Sequence, residues 1–156
     1  MSSTNPRTAV ELVDVRGPRF AAWVTTAVLL VVLIISALNP AAAAVVLGLQ
    51  ATAFAVGAFA GPRRHPYGVL FSTFVAPRIA AVREREPVPP LKFAQLVGLV
   101  FAVCGVAGFA LGPFLVGAVA TALALVAAFL NAAFGICLGC ELYPLAARLR
   151  RDPHPA

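Results

Sequence analysis

The sequence predicts an all-α membrane protein, with four transmembrane helices in two tandem hairpins and both chain ends in the cytoplasm. Three observations carry that expectation. The first is composition: of 156 residues, 61% are hydrophobic and 12% charged, with a mean hydropathy of +0.93. Soluble domains run nearer half apolar and about a quarter charged, so this composition argues against a cytosolic enzyme, a disordered regulator or a secreted disulfide module. The second is the presence of four charge-free stretches, 20–38, 41–60, 93–111 and 114–134. At about 1.5 Å per residue each covers roughly 30 Å, the hydrocarbon thickness of a bilayer. The runs are continuous rather than alternating, so helices and not barrel strands satisfy their backbones. The third is the placement of charge. All 12 Lys and Arg residues lie in segments 1–19, 61–92 and 135–156, and none lies in the two turns between paired spans. Four spans put those three segments on one side, and the positive-inside rule makes that side the cytoplasm.

Taken in chain order, span one follows Gly17-Pro18 and is too long and too late to be a signal peptide. Asn39-Pro40 and Gly112-Pro113 are uncharged turn dipeptides that join spans one to two and three to four. The loop 61–92 and the tail 135–156 belong to the same single domain, 1–156. In the loop, residues 69–86 mix Leu70, Phe71, Phe74 and Ile79 with Arg78, Arg83 and Arg85, a pattern for an amphipathic surface helix interrupted at Pro77. The tail offers a second such helix over 144–151, ending in Arg148, Arg150 and Arg151. Small residues at four-residue spacing, among them Ala53, Gly57 and Gly61 or Ala120, Ala124, Ala128 and Ala132, are expected to form packing seams. Span one, rich in Leu, Val and Ile, is expected to face lipid most. Thr25, Gln50 and Asn131 read as interhelical glue. The net charge of +6 is explained by topology, and no aromatic-interleaved basic groove points to nucleic acid.

The halves align at an offset of 73 residues, which places Arg19-Phe20-Ala21 on Lys92-Phe93-Ala94 and Asn39-Pro40 on Gly112-Pro113. A parallel internal repeat would bring the loop Arg63-Arg64-His65 opposite the segment that carries Cys137 and Cys140.

Those two thiols form Cys137-Leu138-Gly139-Cys140. A Cys-x-x-Cys pair in a reducing compartment reads as redox or metal chemistry rather than a structural staple. A four-thiolate zinc site needs two such pairs. With one pair plus His65 and His154, redox ranks above metal, and no metal or cofactor is expected. If a tail helix begins near Glu141, Cys140 gains the favourable helix N-terminus. Arg63, Arg64 and His65 are expected to stabilise a thiolate, while Glu141 opposes it. Cys104, in mid-span three, reads as a packing residue.

Val13-Asp14-Val15-Arg16-Gly17-Pro18-Arg19-Phe20, Pro66-Tyr67-Gly68, Lys92-Phe93-Ala94-Gln95 and Phe134-Gly135-Ile136-Cys137-Leu138-Gly139-Cys140 resemble the actinobacterial membrane family named domain of unknown function 4395, DUF4395. The similarity runs from about Val13 to Tyr143, and the Gly-x-Cys-x-Gly-Cys-x-x-Tyr ending is its most specific motif. The resemblance implies a multi-pass protein of the bacterial plasma membrane and transfers no activity. The ending is also similar to those of small membrane segments attached to rhodanese domains, an analogy that points to sulfur handling. Three functions follow as expectations. The first is a thiol-disulfide or persulfide relay in which Cys137 and Cys140 work with a cytoplasmic thioredoxin-like or sulfurtransferase partner. The second is a membrane scaffold or assembly subunit with structural thiols. The third is a small transporter, weakest because the spans hold no ionisable group beyond Cys104.

Overall fold

A computed structural model describes residues 10–79 and 84–149. Arg83, Arg150, Arg151 and His154 lie outside the described residues. Four long helices form the body: α1 (Arg16–Leu38), α2 (Pro40–Ala60), α4 (Val88–Leu111) and α5 (Phe114–Phe134). All four are long and apolar enough to cross a membrane. Three of them begin before the charge-free runs, α2 by one residue at Pro40, α1 at Arg16 and α4 at Val88, so that Arg16, Arg19 and Lys92 lie within helices. Between α2 and α4 lie a short α3 (Pro66–Leu70), one π turn (Phe71–Val75), a 3-10 turn (Ala76–Arg78) and β2 (Arg85–Pro87). β2 pairs antiparallel with β1 (Leu12–Asp14), placing Val13 opposite Glu86. The chain ends in α6 (Leu138–Leu149).

The expected surface helix over 69–86 is therefore shorter. Pro77 lacks the N–H that would continue the helix, the turn closes at Arg78, and residues 85–87 are extended instead. The tail helix starts earlier than expected, at Leu138, and carries Pro144 inside it.

The helix ends follow from local chemistry. Asn39 accepts a hydrogen bond from the Ala42 N–H at 3.0 Å through its side-chain oxygen, and Pro40 fills the first helical position, where no donor is needed. One residue thus separates α1 from α2. Gly112 closes α4 in the left-handed region, with φ of 110°. Within the spans, Thr26, Ser36, Thr52 and Thr121 hydroxyls donate to carbonyls three or four residues back, so these polar groups are satisfied without a partner helix.

The four helices pack as a ring, in which α1 meets α2 and α5, and α4 meets the same two. Leu29, Val32, Ala43, Leu47, Ala102 and Phe109 fill its centre. The expectation for span one is corrected: α4 and α5 are less buried than α1. Of the small residues, Ala53, Gly57, Ala120, Ala124 and Ala132 are buried. Gly61 and Gly112 instead turn the chain at positive φ.

The tightest approach between two of the long helices is at Gly108, where an added Cβ would collide with the backbone of Gly117. Around Gly48, by contrast, an added Cβ meets nothing within 4 Å. Gly108→Ala should destabilise the bundle by about 1–3 kcal/mol, the usual cost of overpacking. Gly48→Ala should leave stability unchanged or raise it by roughly 0.5–1 kcal/mol through helix propensity. Unfolding in a denaturing-detergent titration checks this, and equal behaviour of the two variants would remove Gly108 as a packing determinant.

Candidate functional site

The end of the bundle that carries the α1 and α4 starts also carries the α2 and α5 ends. Helix ends leave carbonyls without intrahelical donors, and two cations meet them here. The Arg19 guanidinium donates to the Ala132 carbonyl at 3.4 Å, and the Lys92 ammonium donates to the Phe59 carbonyl at 2.9 Å. Both the donors and the acceptors are 73 positions apart. Ring contacts lie nearby in both halves: Phe20 meets Phe71 at 5.7 Å, and Phe93 meets Tyr143 at 6.0 Å. In one half α3 and the π turn lie on α1, and in the other α6 lies on α4.

Gly135 ends α5 at φ of 72°, its N–H bonded to the Asn131 carbonyl and the Ile136 N–H to that of Leu130. That left-handed position favours glycine and turns the chain back toward α4. Gly139, one turn later, is helical. Its missing side chain permits contact, since an added Cβ would lie 2.5 Å from Ala94 Cα. Gly139 thus serves close packing of α6 on α4 rather than the turn itself.

Cys137 immediately precedes α6, and its carbonyl accepts the Glu141 N–H at 3.0 Å. It therefore holds the position at the helix N-terminus that the sequence suggested for Cys140. Cys140 Sγ lies 2.8 Å from Cys137 Sγ, in hydrogen-bond contact with Cys140 as donor and without a disulfide between them. That hydrogen bond lowers the Cys137 pKa; burial opposes it, and the backbone N–H groups of Cys140 and Gly139 add to the lowering. The same bond pushes Cys140 strongly upward, with burial and the negative charge of Cys137, Glu86 and Glu141 acting in the same direction. The pair is thus asymmetric, with one sulfur disposed to ionise and the other to keep its proton. Cys104 faces outward from α4.

The charged groups acting on these sulfurs are Glu86 and Glu141. The cationic loop is engaged elsewhere. Arg63 pairs with Glu11 at 3.2 Å and donates to the Leu12 carbonyl, and Arg64 is exposed. Arg63, Arg64 and His65 are not among the groups that act on these sulfurs; the Cys140 hydrogen bond and the backbone N–H groups of Gly139 and Cys140 are.

His65 is 3% exposed. Its Nδ1 accepts the Tyr67 N–H at 3.2 Å, and burial lowers its pKa to about 4. The Tyr67 hydroxyl donates to Gln50 Oε1 at 2.7 Å, and Gln50 reaches Thr25 at 3.5 Å. Gln50 thus ties α1, α2 and α3 together, as interhelical amides do for about a kcal/mol or less. Sequence reasoning gave His65 and Tyr67 no place in this network; the adjacent Pro66, which starts a helix with His65 as its cap, was the available signal. Asn131 lines a cavity of about 340 Å³ that also touches Cys137, Gln95 and Thr25. Among the described residues, no three His, Cys, Asp or Glu side chains gather to hold a metal ion.

Four apolar spans with an asymmetric thiol pair at one end define a multi-pass helical membrane protein with a candidate dithiol site. The chain belongs to the family described as domain of unknown function DUF4395, whose family model matches residues 13–148. No curated protein and no solved structure matches it.

Two outcomes follow. Cys137 should alkylate faster than Cys140 near neutral pH, and Cys140→Ala should shift the pH profile of Cys137 alkylation upward, since the largest lowering influence is removed. An unchanged profile, read by mass spectrometry of labelled peptides, would sink this account of the asymmetry. His65 has a folded-state pKa of about 4 against an ordinary 6.5, so the unfolded chain binds more protons between those values. Its contribution to stability is complete above about pH 6.5 and declines as pH falls toward 4. Melting temperature should drop over that window in the native protein and drop less in His65→Phe; parallel curves would exclude His65 as the cause.

Proposed function

We propose that this protein is a membrane-held dithiol that exchanges disulfides, or sulfane sulfur from persulfides, with a thioredoxin-like or sulfurtransferase partner at the cytoplasmic face of the bacterial plasma membrane. The observation that carries this reading is the placement of Cys137 at the start of α6 with its sulfur 2.8 Å from that of Cys140. The cation distribution supports the cytoplasmic side, with all 12 Lys and Arg in the sequence segments outside the spans and their two hairpin turns.

In the exchange, the Cys137 thiolate attacks one sulfur of the partner's disulfide and expels the partner's other sulfur as a thiolate, forming a mixed disulfide. Cys140 then loses its proton to that thiolate or to water and attacks Cys137 Sγ. The partner leaves as a dithiol and the Cys137–Cys140 disulfide remains, two electrons having passed to the partner. With a persulfide, Cys137 takes the terminal sulfur and the donor leaves as a thiol. Closing so short a loop adds little stability, which suits a bond that opens and closes.

The test uses Cys140→Ser in intact cells. This variant should accumulate a mixed disulfide through Cys137 that reductant releases, whereas Cys137→Ser should not. A membrane-impermeant alkylating reagent should reach Cys137 only after the membrane is opened. The alternative, a scaffold with structural thiols, is established if neither variant traps a partner and the double Ser variant keeps full cellular function.

A further inference from the structure

The cavity of about 340 Å³ beside the thiol pair is walled chiefly by α1, α4, α5 and α6, and its volume lies in the range of small-molecule sites. No charged side chain among the described residues lines it. Four of its lining residues, Leu123 and Val126 on α5 and Leu138 and Leu142 on α6, are also exposed on the outside of the protein. Leu123 and Val126 lie in the middle of α5, at a depth where the outside of a four-span bundle is hydrocarbon. The cavity rim between α5 and α6 therefore meets lipid, and an occupant that enters there is lipid-soluble.

The polar part of the lining is Thr25, Gln95, Asn131 and Cys137. Thr25 is held by Gln50, and Gln95 Oε1 is closed off. The half-buried Asn131 side chain makes no hydrogen bond among the described residues. Of the two cysteines, Cys137 lines the cavity and Cys140 does not, so the residue that starts the exchange is the one beside the occupant. An ion would stand unpaired within these walls, and a plain hydrocarbon would leave the Asn131 amide without a partner. A quinone is neutral and lipid-soluble, and its ring carbonyl accepts from an amide N–H. It also takes up two electrons and two protons, the number that a dithiol releases.

Resting on the dithiol reading above, we propose that this cavity binds a membrane quinone, which oxidises the Cys137–Cys140 pair. The Cys137 thiolate adds to a ring carbon, forming a C–S bond and placing an electron pair on a ring oxygen. Cys140 gives up its proton and attacks Cys137 Sγ. The S–S bond forms, the C–S bond breaks, and its electron pair leaves with the ring. The two thiol protons finish on the two oxygens of the quinol. The resulting disulfide is returned to the dithiol by a partner dithiol, the exchange above run in the opposite direction.

The test mixes the reduced native protein in lipid nanodiscs, without oxygen, with decylubiquinone, whose fully substituted ring is not permanently arylated. Quinol is read by absorbance and the disulfide by mass. One quinol should form per Cys137–Cys140 disulfide, at a rate that saturates with quinone at fixed lipid. A parallel reaction with water-soluble hydroxyethyl disulfide reports the thiols without the cavity. Ala127→Phe, which fills the cavity wall, and Asn131→Leu, which removes the amide, should each lower the ratio of the quinone rate to the hydroxyethyl disulfide rate by at least about tenfold, the scale of one buried hydrogen bond. No quinol, a rate that never saturates, or a ratio that a folded variant keeps overturns the proposal. If hydroxyethyl disulfide still oxidises the pair in that case, the dithiol reading stands without the quinone; if it does not, both fall. Should a variant fail to fold, saturation in the native protein decides.

Discussion

A helix that stops at the edge of hydrocarbon presents its last carbonyls to a region with little water, and they must find donors. Here the donors are Arg19 and Lys92, each set near the start of one helix and reaching the last turn of another. A cation at a helix C-terminus is also favoured by the helix dipole. These contacts hold α1 to the end of α5 and α4 to the end of α2, on two opposite sides of the ring. Their positions are related by one offset of 73 residues, and the ring contacts Phe20–Phe71 and Phe93–Tyr143 share it at the first partner only. Each long hairpin thus ends in the same arrangement: a braced helix end, a glycine at positive φ, and a short helix laid back over the neighbouring span.

The two short helices diverge in chemistry. After α2 the chain delivers His65 and Tyr67 inward, into a network with Gln50 and Thr25. After α5 it delivers Cys137 and Cys140. The sulfurs sit near acidic groups, and burial raises the pKa of Glu86. The stabilisation of a Cys137 thiolate is therefore local, supplied by a neighbouring thiol and by the first N–H groups of α6. Gln95 lines the cavity that touches Cys137 and also approaches His65 beside Gly57.

The spans and their turns were legible because bilayer thickness fixes helix length and because Asn39-Pro40 and Gly112-Pro113 break it. The thiol pair was legible as a spacing. Its asymmetry was not, because that depends on whether α6 starts at Leu138 or near Glu141, and Gly135 and Gly139 are equally good breakers on paper. Only the approach of Gly139 to Ala94 shows that the second glycine belongs inside the helix. The expectation for Arg63 failed for a different reason. Glu11 competes for it across a long sequence separation, and the ribbon that brings Glu11 close has only three residues per strand, with little alternation to read. The exposure of span one was misjudged because Leu, Val and Ile serve lipid and protein contacts alike.

That ribbon has a consequence for how the chain is assembled. β1 precedes the first span and β2 precedes the third, so Leu12–Asp14 and Arg85–Pro87 are separated in synthesis by an entire transmembrane hairpin. The first hairpin can be inserted as soon as it emerges, but the segment ahead of it has no strand partner until about residue 87 has been made. Until then Val13 has no strand partner, and His65 lacks the neighbouring Gln95 side chain from α4. The first half of the chain therefore waits in the membrane with its polar cluster open on one side, and the arrival of the second half closes it. An interruption between the two hairpins would leave an inserted but unclasped intermediate.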